Sequence, residues 1–221
     1  MQKSDSVRIP GPGEPSLRAG AAADGQRRRL SHLTVVVAST GGPGALYQLL
    51  SVLPAPLKSG LIIVQHMPAG FTASLASHLD RETALQVREA ADGDFPQDGL
   101  VLVAPGGFHL LLSPTLRVIL DNERAPVHGV RPAADVTLET VPFNWARRCT
   151  VIILTGMGRD GVQGAERLRQ RGAQVWAQDE ESCVVYGMPG AAAALGIVDR
   201  MGNPRQLGHW LIEHVGGGTT Q

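Results

Sequence analysis

The 221-residue sequence predicts an α/β fold: a doubly wound, mostly parallel sheet flanked by helices, with a small antiparallel portion. The main observation is that short aliphatic segments alternate with amphipathic ones from Leu33 onward, which is the pattern of βαβ units. In addition, 43% of the residues are hydrophobic but only 4% are aromatic, so we expect one core of small aliphatic side chains.

The first predicted strand ends in a tight turn and is followed by a helix. It lies in the segment LTVVVASTGG, residues 33–42, where β-branched residues end at Ser39-Thr40-Gly41-Gly42. Leucines at helical spacing come next, at positions 46, 49, 50 and 53. A side chain in such a turn lies at the carboxyl end of a strand and near the positive end of a helix dipole.

The same pattern recurs in the second unit, where GLIIVQHMPAGFT, residues 60–72, predicts a buried strand that stops at His66. A helix follows, with Phe71, Leu75 and Leu79 spaced four residues apart. The segment 85–90 then predicts a short strand with alternating side chains.

Three aliphatic segments in the middle of the chain are separated only by turn residues. They are VLVAPGG (101–107), HLLL (109–112) and LRVIL (116–120). Because these connections are too short for crossover helices, we expect an antiparallel or edge portion of the sheet here.

The rest of the chain returns to the alternating pattern. Its predicted elements are a helical stretch over 131–148 interrupted at Pro142, a strand and Gly-rich turn over 150–161, a helix with Val162, Ala165 and Leu168, a strand, acidic loop and short helix over 173–191, a last strand around Ile197 and Val198, and a C-terminal helix with Leu207, Trp210, Leu211 and His214.

Composition divides the chain into a tail, one domain and a short end. Residues 1–30 are rich in Pro, Gly and Ala and predict a disordered tail, 31–215 predict the folded domain, and 216–221 a disordered C-terminus. The 20 basic and 20 acidic residues give no electrostatic signature of nucleic-acid binding, and no apolar run is long enough to insert into a membrane. Two separated cysteines and the absence of a signal peptide predict a cytoplasmic protein with free thiols.

Three polar residues follow three strongly apolar strands, and together they form the set used in nucleophilic acyl transfer. Ser39, His66 and Asp160 each occupy the kind of position that lines the ligand crevice of an open α/β sheet. A serine hydroxyl needs a neighbouring imidazole to accept its proton, and a carboxylate on the other ring nitrogen orients the imidazole. The residues therefore predict a catalytic triad.

Other roles are open for each of these residues. Ser39 and Asp160 could be the N-caps of the helices that follow them, and His66 a partly buried histidine at a strand end. The turn Gly41–Gly44 could hold a phosphate or nucleotide, although its glycine spacing fits neither common phosphate-binding motif. No ligand spacing predicts a metal, and His109 and His128 are interpreted as ordinary strand and loop residues.

Four motifs in order resemble those of one family. ASTGG (38–42), QHMPAGFT (65–72), LTGMGRDG (154–161) and ESCVVYGMPGA (181–191) are similar to motifs of the bacterial chemotaxis-receptor methylesterase catalytic domain, the protein-glutamate methylesterases. APGGFHLLL (104–112) and the stretch from Arg131-Pro132 to Asp135 are similar to two further blocks of the family, so that the resemblance covers about residues 33–215.

The resemblance implies a hydrolase that uses no metal or organic cofactor. It implies Ser39 as nucleophile, His66 as general base and Asp160 as the carboxylate that orients it. The implied reaction is hydrolysis of glutamate γ-methyl esters on the cytoplasmic helices of methyl-accepting chemoreceptors, with release of methanol, and in many members deamidation of receptor glutamines. Backbone N–H groups of Thr40 and of the loop containing Met157 are the implied oxyanion donors.

The sequence also departs from the family. Val37 replaces a glycine that usually precedes Ala-Ser-Thr, and Ala133-Ala134 follow Arg131-Pro132 where a hydroxyl residue is usual. Typical members carry an N-terminal receiver domain that covers the active site, so a stand-alone form is expected to be constitutively active or controlled by a separate regulatory partner. Alternative functions are a phosphate- or nucleotide-binding module and a non-catalytic receptor-binding domain.

Overall fold

Seven parallel strands form the central sheet of the computed structural model, which describes residues 29–216. The strands are β1 (Leu33–Ala38), β2 (Gly60–Gln65), β3 (Gln86–Glu89), β4 (Leu100–Val103), β5 (His109–Leu112), β6 (Val118–Asp121), β7 (Cys149–Ile153), β8 (Gln174–Gln178) and β9 (Arg200–Gly202). The helices are α1 (Gly42–Leu50), α2 (Phe71–Glu82), α3 (Ala134–Glu139), a 3₁₀ segment (Phe143–Arg148), α4 (Val162–Gln170), α5 (Met188–Ala194) and α6 (Pro204–Gly216).

The strand order in the sheet is β3-β4-β2-β1-β7-β8-β9, with the antiparallel pair β5-β6 outside it. This order confirms the predicted α/β fold with a small antiparallel portion. The chain builds outward from β1 on one side and later returns to β7 on the other side. The boundary between β1 and β7 is therefore the topological switch point, where ligand crevices form in such sheets.

The central strand β1 is aliphatic along its whole length because both of its faces are covered. All six residues are buried, and β1 pairs with β2 from Leu33 opposite Gly60 to Ala38 opposite Gln65. On its other side β1 pairs with β7 from Leu33 opposite Cys149 to Val37 opposite Ile153. This register places the carboxyl ends of the three strands at one edge of the sheet.

Two separate cores lie on the two faces of the sheet. One contains the apolar faces of α1, α2 and α6, around fully buried side chains such as Leu46, Leu79 and Trp176. The other contains α3, α4, α5 and the β5-β6 hairpin, around side chains such as Leu110 and Leu138. Each of these buried aliphatic side chains contributes about 2 kcal/mol from the apolar surface it removes from water.

The prediction for residues 101–107 was wrong about the sheet to which the strand belongs. β4 lies between β2 and β3 and is parallel to both, while β5 and β6 alone form the antiparallel pair. All four residues of β4 are buried, as an interior strand of a parallel sheet requires. The parallel crossover from β3 is made by loop 90–99, which contains no helix and packs on β6 through hydrogen bonds between loop residues and Val118.

The other segment boundaries differ by a few residues. The last strand is Arg200–Gly202 rather than the region of Ile197 and Val198, because Ile197 instead closes the end of α5 through a bond from its N–H to the Ala192 carbonyl. The helical stretch predicted over 131–148 is divided at Pro142 into α3 and the 3₁₀ segment, as expected.

The predicted tail and C-terminal end lie outside the described residues, apart from Arg29, Leu30 and Gly216. Leu30 packs against the core, and the Arg29 carbonyl accepts a hydrogen bond from the Asp98 N–H. Within residues 29–216, every helix is too short or too polar to cross a membrane.

A buried histidine lies at the amino-terminal edge of the sheet. The His32 ring shares a 3.0 Å hydrogen bond between its Nε2 and the Thr150 Oγ1, and packs edge-on against His214 at a centroid distance of 5.2 Å. Burial, with smaller contributions from the charges of His214 and Arg148, lowers the pKa of His32 to about 4. The folded protein therefore holds this ring uncharged.

The buried position of His32 predicts that the protein loses stability in mild acid. An unfolded histidine binds a proton near pH 6.5 but folded His32 only near pH 4, so protons favour the unfolded state in this window. Between pH 7.5 and pH 5 this residue should lower the free energy of unfolding by about 2 kcal/mol. Urea unfolding at both pH values measures the loss. His32→Gln should remove the part due to His32 and leave the part due to His214, whose pKa burial also lowers. His78→Gln, on the exposed face of α2, should leave the loss unchanged.

Candidate active site

The structure brings the carboxyl ends of three neighbouring strands together. Ser39 follows β1, His66 follows β2, and Asp160 lies in the loop after β7. The His66 N–H continues the pairing of the two strands by donating to the Ala38 carbonyl at 3.0 Å. Ser39 and His66 therefore occupy neighbouring positions at the edge of the sheet, and both line one cleft of about 460 Å³.

The His66 ring is bonded to the Asp160 carboxylate. The distance between His66 Nε2 and Asp160 Oδ2 is 2.7 Å, and the two side chains are only 9% and 3% exposed. Because Nε2 faces the carboxylate, Nδ1 is the ring nitrogen left for another partner. The arrangement thus has the imidazole–carboxylate half of a triad, with the two ring nitrogens exchanged relative to the serine protease template.

Asp160 is also held by the backbone at the start of α3. Its Oδ2 accepts the Ala134 N–H at 2.6 Å, and its Oδ1 accepts the Asp135 N–H at 3.0 Å. Burial alone would raise the pKa of Asp160, but the hydrogen bonds from His66, Ala134 and Asp135 outweigh it and hold the pKa below its usual value. Asp160 is therefore a carboxylate, and not a carboxylic acid, throughout the neutral pH range.

Neither Ser39 nor Asp160 caps the helix that follows it. The N-cap of α1 is Gly41 and that of α4 is Gly161, and neither cap makes a side-chain hydrogen bond. Asp160 does satisfy N–H groups of a helix, but the helix is α3, which is distant in the sequence. The structure therefore does not support Ser39 as the N-cap of α1 or Asp160 as the N-cap of α4.

Gln65 links the backbones of Ser39 and His66. Its Nε2 donates to the Ser39 carbonyl at 3.0 Å and to the His66 carbonyl at 3.1 Å, and the residue is 1% exposed. The Ser39 backbone is fixed further by a bond from its N–H to the Thr155 carbonyl at 3.0 Å. Sequence reasoning missed this role of Gln65, although an amide directly before a strand-end histidine is a visible signal.

The glycines of the turns allow close packing around Ser39. A Cβ on Gly156 would lie 2.7 Å from the Ser39 Cβ, and a Cβ on Gly42 would lie 1.9 Å from Gln65 Oε1. A Cβ on Gly41 would lie 2.6 Å from the Val184 Cβ. Since side chains of the protein itself fill the space beside Gly41 and Gly42, this turn does not offer that space to a phosphate.

The two candidate oxyanion donors, Thr40 and Met157, lie on the turn after β1 and the loop after β7, and a hydrogen bond from Thr155 joins these two segments. Thr40 lines the cleft with Ser39, and Met157 follows Gly156, whose Cα packs against Ser39. The Thr155 hydroxyl donates to the Thr40 carbonyl at 2.9 Å and accepts the Val185 N–H at 2.9 Å. The turn's own bond, from the Gly42 N–H to the Ser39 carbonyl, does not use the Thr40 N–H.

The two cysteines are free and unsuited to act as nucleophiles. Burial raises the pKa of Cys149 to about 12. Burial also raises the pKa of Cys183 to about 11. A hydrogen bond with Thr155 opposes this rise, and the negative charges of Asp179 and Glu180 add to it. Both thiols are therefore protonated near neutral pH.

Comparison with known proteins identifies the family. A family model described as CheB methylesterase matches residues 34–211, which include Ser39, His66 and Asp160. The chain belongs to the CheB methylesterase family. This membership confirms the resemblance of the four motifs to those of the protein-glutamate methylesterases.

The sequences of relatives in this family align with most of this chain. A protein of Symbiobacterium thermophilum named protein-glutamate methylesterase/protein-glutamine glutaminase is 52% identical over 74% of this chain and 45% of its own length. A Pseudomonas aeruginosa protein named protein-glutamate methylesterase/protein-glutamine glutaminase 1 is 40% identical over 85% of this chain and 50% of its own length. The chain thus spans about half the length of the curated relatives it matches.

A solved structure shows the same fold. The crystal structure of the Thermotoga maritima CheB methylesterase catalytic domain superposes with a TM-score of 0.80 at 39% sequence identity. The match covers 83% of this chain and 98% of the Thermotoga maritima chain. Nearly all of that catalytic domain therefore has a counterpart in this chain.

The departures of this chain from the CheB methylesterase motifs lie around Gly161. Val37 is fully buried, and a Cβ on Gly161 would lie 3.3 Å from its Cγ1 and 3.1 Å from the Ala134 Cβ. Ala133 and Ala134 are also fully buried. These side chains pack inside the domain, below the loop that carries Asp160, and do not face the cleft.

Proposed function

We propose that this chain hydrolyses glutamate γ-methyl esters on the cytoplasmic helices of methyl-accepting chemoreceptors and deamidates glutamines there, using Ser39, His66 and Asp160. The observation that carries the proposal is the buried 2.7 Å bond between His66 and Asp160, formed beside Ser39 at the switch point of the sheet. The names of the relatives supply the two reactions. An enzyme with this substrate acts in the cytoplasm, with the receptor as its partner.

The reaction begins with attack by the Ser39 hydroxyl on the side-chain carbonyl of the substrate. His66 Nδ1 accepts the serine proton, while Asp160 stabilises the resulting imidazolium through Nε2. The negative charge that develops on the carbonyl oxygen is received by backbone N–H groups of Thr40 and Met157. The Thr155 hydroxyl, which lies on the same loop as Met157, holds the turn of Thr40 by donating to its carbonyl, so the first of these donors is fixed before the charge forms.

The tetrahedral intermediate collapses when the leaving group takes a proton from His66. Methoxide leaves as methanol from an ester, and the amide nitrogen leaves as ammonia from a glutamine. Water then attacks the acyl-serine, with His66 again accepting a proton, and releases a glutamate carboxylate. One set of residues thus accounts for both activities in the relatives' names.

Exposed apolar side chains around the cleft favour a protein substrate. Phe71 is 62% exposed and lines the cleft. Met157, which follows Gly156, and Val184, which packs beside Gly41, are each 70% exposed. A small free ester would leave such side chains in water. A receptor helix laid across the cleft would cover them and present its glutamate to Ser39.

The proposal is tested by the chain's action on a receptor with radiolabelled methyl esters. We expect volatile labelled methanol above the receptor-only background, and conversion of receptor glutamine to glutamate detected by mass spectrometry. The Pseudomonas aeruginosa relative provides a positive control with the same receptor preparation. No methanol from this chain, where that relative releases it, would contradict the proposal.

A further inference from the structure

A second histidine–carboxylate pair lies directly behind the first. The distance between His128 Nε2 and Asp135 Oδ2 is 3.0 Å, with the Asp135 side chain 7% exposed and the His128 side chain 39% exposed. The ligand atoms of His128, Asp135 and Asp160 lie within 4.8 Å of one another. Neither His128 nor Asp135 has a part in the reaction derived above.

Asp135 and Asp160 each satisfy the N-terminus of the other's helix. Asp160, which precedes α4, accepts the N–H groups of Ala134 and Asp135 at the start of α3. Asp135, in the first turn of α3, accepts the Gly164 N–H in the first turn of α4 at 2.8 Å. Since neither helix has a side-chain cap from its own N-cap residue, the two carboxylates replace those caps reciprocally.

This arrangement buries two negative charges close together. Burial and the charge of Asp160 raise the pKa of Asp135, while the hydrogen bonds from Gly164 and His128 oppose the rise. Other ionisable groups at α3 are His109 on β5, which accepts the Ala133 N–H, Arg131, which donates to backbone carbonyls, and the surface pair Glu139–Arg167. Arg159, next to Asp160 in the sequence, is exposed.

We propose that Asp135 is a positioning residue for the His66–Asp160 pair, with His128 holding its carboxylate in place. Asp135 ties the first turn of α3 to α4 through the Gly164 N–H, and the N–H groups of that turn of α3 orient Asp160. The inference rests on the proposed function, because the orientation of Asp160 matters for rate only if His66 is the general base.

The first test compares Asp135→Asn with the wild-type chain in kcat and KM for methanol release. The amide is the same size and can still accept the Gly164 N–H, but it carries no charge and so accepts that N–H less strongly. We expect kcat to fall about three- to tenfold with little change in KM, because the first turn of α3 then holds Asp160 less firmly. Asp135→Glu, which restores the charge, should recover part of the lost kcat.

Glu139→Gln is the matched control, because it removes a carboxylate from the same helix at the same α3–α4 contact. Its partner Arg167 is half exposed, and the pair contributes little to stability. This variant should leave both kcat and KM unchanged. A fall in the kcat of Glu139→Gln equal to that of Asp135→Asn would overturn the proposal, since any carboxylate on α3 would then have the same effect.

An NMR measurement without substrate separates this inference from the proposed function. The ring signals of His66, assigned by their absence in His66→Gln, report its bond to Asp160. We expect them to move in Asp135→Asn and to stay at their wild-type positions in Glu139→Gln, and this result would support the positioning role even if the wild-type chain released no methanol. Asp135→Glu, measured in the same way, keeps the test decisive if Asp135→Asn fails to fold. Unmoved His66 signals, with only a lower thermal midpoint, would overturn the proposal in favour of a purely structural role.

Discussion

Replacement of Ser39 by alanine is expected to reduce methanol release to the background, a loss of about 10⁵–10⁶-fold by analogy with removal of a serine nucleophile in other triads. The physical reason is that no acyl-enzyme can form without the hydroxyl. The His66–Asp160 pair, the Gln65 bridge and the oxyanion turns would remain, but they have no nucleophile to activate. Release of labelled methanol from methylated receptor measures the loss.

The Ser39→Ala variant should fold as the wild-type chain does. The Ser39 hydroxyl caps no helix, and the backbone bonds that fix the residue use its N–H and carbonyl, which alanine retains. We therefore expect a change in the free energy of unfolding within about 0.5 kcal/mol. Ser51→Ala, which removes an exposed hydroxyl bonded to the Gln48 carbonyl after α1, is the matched control and should keep full activity. If Ser39→Ala kept wild-type activity, Ser39 would be excluded as the nucleophile.

The positions of the candidate site residues could be predicted because each follows an aliphatic strand. Strands of a parallel sheet end at one edge, so Ser39 and His66 were expected to be near each other before their register was known. The partner of Asp160 on α3 could not be predicted. Its bonds to Ala134 and Asp135 join residues 25 and 26 positions apart, and no local pattern encodes such a contact.

The strands were predictable where an aliphatic run and the turn after it gave the same answer, and not where the length of a connection suggested a different pairing. β1 and β7 are aliphatic runs in front of Gly-rich turns, and both are interior strands of the sheet. For β4, the short connections to β5 and β6 suggested hairpins, but β4 pairs in parallel with β3 across loop 90–99, a ten-residue crossover without a helix. The uninterrupted aliphatic sequence LVLV, buried at all four residues, was the signal for an interior strand, and the length of the following connections was misleading.

Replacement of Asp160 by asparagine is expected to lower kcat by about 10⁴-fold, the loss seen when the carboxylate of a serine protease triad becomes an amide. The Asp160 carboxylate accepts three donors, from His66, Ala134 and Asp135. An amide has only one acceptor oxygen, so its NH₂ group must face at least one of these donors. If it faces His66 Nε2, the ring is held in the tautomer whose proton is on Nδ1, and that nitrogen can no longer accept the Ser39 proton.

The same substitution should also destabilise α3, and the two effects must be measured separately. Loss of the N–H acceptors at a helix N-terminus costs about 1–2 kcal/mol, which lowers the thermal midpoint but leaves most molecules folded at 25 °C. Asp80→Ala is the control, since it removes the Oδ1 that accepts the Val87 N–H at 2.7 Å far from the cleft. It should lose comparable stability and keep its kcat. If the kcat of Asp160→Asn fell only in proportion to its unfolded fraction, Asp160 would be a structural cap of α3 and not the orienting carboxylate of His66.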